Sequence, residues 1–151
     1  MPGSPAVSPP MNRLSLALTF ALNAALLAAS LDLAHAADLD RSDPDRAQIL
    51  AAAHRDRKED GRYIVLEMVK TGDVAFLCAA IRLPQGSIEQ TDDAIDIDLL
   101  AFQKTAGVWK NVASAANFSA IPLDREACAP EGHAFKTRAS IIAFIKRFSG
   151  P

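Results

Sequence analysis

The sequence predicts an α+β domain over residues 37–151: a four-stranded antiparallel meander with an N-terminal and a C-terminal helix packed on the sheet. Three observations predict it. Apolar, β-branched runs at 63–70 and 74–83 flank the turn signal Thr71-Gly72-Asp73 and read as a hairpin. A second pair, 94–104 and a strand starting at 108–113, flanks Thr105-Ala106-Gly107. Apolar residues at helical spacing precede the first pair and follow the second. The order is α, β, β, β, β, α, and the helices are expected on one face of the sheet.

Residues 37–42 read as a polar lead-in. Ser42 or Asp43 can cap the first helix, and Pro44 falls in its first turn, where a missing N–H costs nothing. Ala47, Leu50, Ala51 and His54 share one helical face, widened by Ile49 and Ala53. The charge run at 56–62 reads as solvated and ends the helix before Gly61. The strand at 74–83 is apolar on both faces, so it is expected at the centre of the sheet under a helix. Residues 84–93 read as a loop. In the third strand Ile95, Ile97 and Leu99 face one way, and Asp96 and Asp98 the other. Residues 119–134 read as loop-rich. The last helix, about 136–148, carries Ile141, Ile142, Ile145 and Phe148 as a stripe, with Lys146 and Arg147 suited to its C-terminal dipole.

Residues 1–36 differ in kind. Ten proline-rich residues before Met11 read as a short disordered extension, or as a start assigned too early with Met11 as the true one. Arg13 then gives a positive n-region, 14–29 is uncharged and rich in Leu and Ala, and Ala34-His35-Ala36 has the small-x-small form of a cleavage site. The pattern predicts a signal peptide cleaved between Ala36 and Ala37, and an exported, periplasmic mature domain. The apolar run is shorter than the ~20 residues of a membrane span, so no membrane span is expected after cleavage. A net charge of −2 argues against a nucleic-acid partner.

Cys78 and Cys128 are the only cysteines. In an oxidising compartment each is the other's natural partner. Their bridge closes a loop of about 50 residues, worth on the order of 4 kcal/mol in the chain-entropy account.

Thr71-Gly72-Asp73, followed by Val74-Ala75-Phe76-Leu77, and Leu99 to Lys104 followed by Gly107-Val108-Trp109-Lys110-Asn111-Val112, resemble a group of small bacterial exported proteins of unknown function. Val74 stands where that group is expected to carry Trp. In outline the group is similar to cystatin-like or NTF2-like folds, in which a helix packs on a curved sheet. The resemblance implies no catalytic residues.

The candidate sites are few. Asp92, Asp93, Asp96 and Asp98 form an acidic cluster. Asp96 and Asp98 share a strand face about 7 Å apart, a weak candidate for a hard cation against a solvated strand face. His54, expected partly buried on its helix, Tyr63 and Trp109 are candidates to line a pocket between helix and sheet. His133 is the other mature histidine. No hydrolase, zinc or phosphate-loop motif is present, and no cofactor is expected. The sequence therefore reads as a non-enzymatic domain that binds a small molecule or an envelope protein. The alternatives are a small hydrolase- or isomerase-like enzyme with a carboxylate in an NTF2-like cavity, or a structural or inhibitor-like protein.

Overall fold

A computed structural model of the protein describes residues 37–57, 60–120, 123, 125–129 and 135–150. The expected export segment, 1–36, and His133 lie outside the described residues.

Among the described residues, six strands form one antiparallel sheet: β1 (Ala37–Asp38), β2 (Arg62–Thr71), β3 (Val74–Arg82), β4 (Gln90–Thr91), β5 (Ala94–Thr105) and β6 (Val108–Ser119). The four long strands are the two expected hairpins, paired Thr71↔Val74 and Thr105↔Val108 at their turns and joined through β3 and β5. The strand count exceeds the expected four because two short segments also pair. β1 lies in the expected polar lead-in. It pairs with Val69 and Lys70, and Leu39, just beyond it, is buried and donates its N–H to the Met68 carbonyl. β4 arises where the expected loop folds back on the start of β5. The last long strand runs six residues beyond the expected segment, to Ser119.

The described residues also form two α-helices, α1 (Pro44–Arg55) and α2 (Arg138–Phe148). Asp43 caps α1, its side chain accepting the Asp45 N–H at 2.8 Å. Thr137 caps α2 in a reciprocal box with Ser140, which sets the start two residues later than the expected 136.

The helices lie on opposite faces of the sheet, not on one. Ile49, Ala52 and Ala53 of α1 pack with Ala75, Leu77, Ala79, Leu100, Phe102 and Trp109. Ile141 and Phe144 of α2 pack with Phe76, Cys78, Ala80, Ile97, Leu99 and Ala101. β3 explains why: its first eight residues are buried on both faces, and each apolar face needs its own cover. The buried stripe of α1 is therefore Ile49-Ala52-Ala53; Ala47, Ala51 and His54 are exposed. An alanine-rich helix offers several near-equivalent apolar faces, and the sheet selects among them.

The disulfide forms as expected. Cys78 and Cys128 are joined with their Cα atoms 5.5 Å apart, tying the short 3-10 helix Arg125–Cys128 to the centre of β3. Beside it Phe76, Phe135 and Phe144 form an aromatic cluster, with ring centroids 4.0–5.5 Å apart. No described helix is long and apolar enough to cross a membrane.

Candidate functional site

Beyond Arg55 the chain leaves α1 and delivers Arg57 to the sheet. The Arg57 guanidinium bonds Asp98 on β5 at 3.2 Å and Glu89 at 2.9 Å. Asp98 points to the α1 face, because Ile97 and Leu99 take the other. Next to this ion triad opens a cavity of about 340 Å³, lined by Ala53, Asp56, Arg57, Tyr63, Asp98, Leu100, Asn111 and Ser114. Ala53 and Leu100 are its apolar wall; the rest is polar or amphipathic.

The electrostatics follow from partial burial. Burial raises the Asp98 carboxyl above its ordinary value; Arg57 opposes this and Glu89 adds to it. Burial likewise raises Tyr63, and the nearby Asp98 charge adds to the shift. For Arg57, burial acts against the charge, but Glu89 and Asp98 outweigh it and the net shift is upward. Arg57 is thus a fixed cation. Two polar atoms of the lining residues are buried without a hydrogen-bond partner among the described residues: Arg57 Nε and Asn111 Oδ1. The Asn111 amide is held at its other end, where Nδ2 donates to Ser114 Oγ at 2.9 Å.

Of the three residues expected to line a pocket, Tyr63 lines this cavity and His54 and Trp109 do not. His54 is exposed, and its ring lies tilted against that of Tyr63, centroids 4.7 Å apart. Trp109 is 1% exposed and serves a different corner. Its Nε1–H donates to Asp45 Oδ1 at 2.9 Å, and the same carboxylate takes Lys104 at 2.8 Å and Lys70 at 2.9 Å. These donors, Lys104 foremost, then Trp109 and Lys70, hold the Asp45 carboxyl far below the usual range against a smaller opposing effect of burial. This clamp fixes the start of α1 on the sheet.

The acidic cluster does not converge. Asp92 sits in a turn with φ 56°, and both it and Asp93 are exposed. Asp96 accepts from Thr91 Oγ1, and Asp98 belongs to Arg57. Among the described residues no three His, Cys, Asp or Glu side chains are arranged to hold a metal ion. Asp96 and Asp98 lie on the same side of the sheet as α1, and both are half-buried.

Arg57, Glu89, Asn111 and Ser114 are site residues that sequence reasoning passed over. Arg57 stands in a run of charges that all look alike. Asn111 had a signal: two residues from the buried Trp109 on a strand, it is a polar residue at an inward position.

Comparisons with protein-family models, with curated proteins and with solved structures each return no match for this chain.

Proposed function

We propose that the protein is an exported, periplasmic domain that binds a small polar molecule, without transforming it, in the cavity beside the end of α1. One observation carries the reading. The cavity combines an apolar wall with Arg57 and Asn111, whose Nε and Oδ1 are a buried donor and a buried acceptor with no hydrogen-bond partner among the described residues. Buried polar atoms are normally satisfied, and a rotation of either side chain toward the cavity would let a ligand with one acceptor and one donor pair with both. Tyr63 adds a flat amphipathic surface of the kind such sites use. The export part rests on the three-part N-terminal pattern and the Cys78–Cys128 bridge, which suits an oxidising compartment.

A second reading, a carboxylate enzyme, draws on Asp98, whose raised carboxyl lies beside Tyr63 in the same cavity. Its ion pair with Arg57 favours the binding role, because a general base must be free to take a proton.

The test is thermal unfolding of the purified, oxidised protein against a panel of small polar molecules. A bound ligand at about 100 times its Kd stabilises by ~2.7 kcal/mol. At least one compound should raise the melting temperature of the parent protein and leave Asn111→Leu and Ser114→Leu unmoved. No shift from any compound, or shifts that survive both substitutions, would refute the site.

A further inference from the structure

A second polar site lies at the far end of the first hairpin. Arg62 and Arg82 are direct partners in the β2–β3 ladder. Opposed residues share a face, with Cβ atoms about 4.5–5.5 Å apart, and like charges in that position repel. The next pair on the same face, Ile64 and Ala80, belongs to the core under α2. The two arginines therefore extend that face beyond the packed core. Among the described residues neither guanidinium has an acid within ion-pair distance, although Asp60 lines the same cavity.

The backbone gives the pair little room to separate. A Cβ at Gly61 would lie 2.6 Å from Ile81 Cγ2 and 3.2 Å from the Arg82 carbonyl oxygen, so the entry to β2 runs hard against β3. On the other side Arg82 bridges to Ile88, and the intervening turn is closed by Leu83 N–H to the Ser87 carbonyl at 2.8 Å and Gly86 N–H to the Leu83 carbonyl at 2.9 Å. Both arginines line one cavity of about 490 Å³, completed by Asp60, Gly61, Leu83, Pro84 and Gly86. The chain as a whole is acidic by two charges, so this pairing is no by-product of a basic protein.

We infer that Arg62 and Arg82 together bind a phosphate group carried by a small soluble molecule. Guanidinium forks match oxyanions and hold them bidentately. A carboxylate has two oxygens and one charge, enough for one fork. A phosphate monoester has three terminal oxygens and close to two charges at neutral pH, which suits two forks and cancels the repulsion between them. The site is separate from the cavity beside α1 and stands or falls independently of it.

The test is a ¹⁵N NMR titration of the oxidised protein with inorganic phosphate at pH 7.5, ionic strength held constant with sodium chloride. Saturable shifts are expected at the Gly61 and Gly86 amides and at the Arg62 and Arg82 Nε–H groups, with no matching response to chloride alone. Arg62→Gln and Arg82→Gln should each weaken binding at least about tenfold, the loss of one charge-assisted fork. Without phosphate, both variants should melt no lower than the parent in low salt, because the opposed charges are gone. A non-saturating response, binding that survives both substitutions, or variants that melt well below the parent would overturn the assignment. Sedimentation with phosphatidylcholine vesicles containing phosphatidic acid, without any response to inorganic phosphate, would also overturn it in favour of a lipid headgroup.

Discussion

Replacing Asp45 by Asn tests the clamp that seats α1. The substitution preserves shape and leaves an oxygen for Trp109 Nε1–H, but it removes the charge shared by Lys70 and Lys104. Asp45 is 15% exposed, Lys70 25% and Lys104 32%. A hydrogen bond to a charged group contributes about 1.5–3 kcal/mol when well buried, and an exposed pair about 0.2–1. These partly covered pairs fall near 1 kcal/mol each, so Asp45→Asn should cost about 2 kcal/mol. For a domain of this size that is roughly 8 °C in melting temperature. The dependence on pH has a definite sign. The folded Asp45 carboxyl lies below its ordinary value of 3.8, so its stabilisation is complete above that value and is lost as pH falls through the lower, folded one. The gap between parent and variant should be full at pH 7 and pH 5 and should narrow steadily below about pH 4. Thermal unfolding followed by circular dichroism at pH 7, 5 and 2.5 measures it. Trp109, the only tryptophan, reports the same corner by fluorescence. A variant within about 2 °C of the parent at pH 7, well under the shift expected from losing the clamp, would refute the reasoning. So would a gap as wide at pH 2.5 as at pH 7.

Three further outcomes are expected. Reducing the Cys78–Cys128 bridge, which spans 50 residues, should lower the unfolding free energy by about 4 kcal/mol in urea; native protein that takes up a thiol alkylating reagent at both positions would show the bridge absent. Carbonyl-detected NMR should place the Asp98 pKa above 3.8, and Arg57→Met should push it higher still, since Arg57 is the group that opposes the rise from burial. A raised folded value means Asp98 favours the fold at low pH and loses that contribution as pH rises through it; a pKa that falls on removing Arg57 contradicts the ion pair. Ala106 holds φ 50° beside Gly107 at 79° in the two-residue β5–β6 turn, a geometry that favours Asn-Gly. Ala106→Asn should therefore raise the urea midpoint, by about 0.5–1 kcal/mol in stability; an unchanged or lower midpoint contradicts the strain.

The legible parts were those governed by neighbours in the chain. Asp43-Pro44 marked the start of α1, and the turn residues Gly72 and Gly107 marked both hairpins, because caps and turns are satisfied within a few residues. Burial of the run from Val74 on both faces was legible from its unbroken apolar character. The site was much less so. Tyr63 lines the cavity beside Arg57, but Trp109 looked like a pocket aromatic when its N–H is committed to Asp45, and His54 looked half-buried when it is exposed.

Sequence alone determined the α+β class, the two hairpins, the start of α1 and the one possible disulfide, each a matter of local periodicity or of having a single choice. Tertiary structure decided which stripe of alanine-rich α1 meets the sheet, that the two helices take opposite faces, and that Arg57 leaves its charge run to join Asp98, 41 residues away. Those outcomes depend on which surfaces are buried against which. Solvation and Coulomb energy act through space, and no spacing along the chain records them.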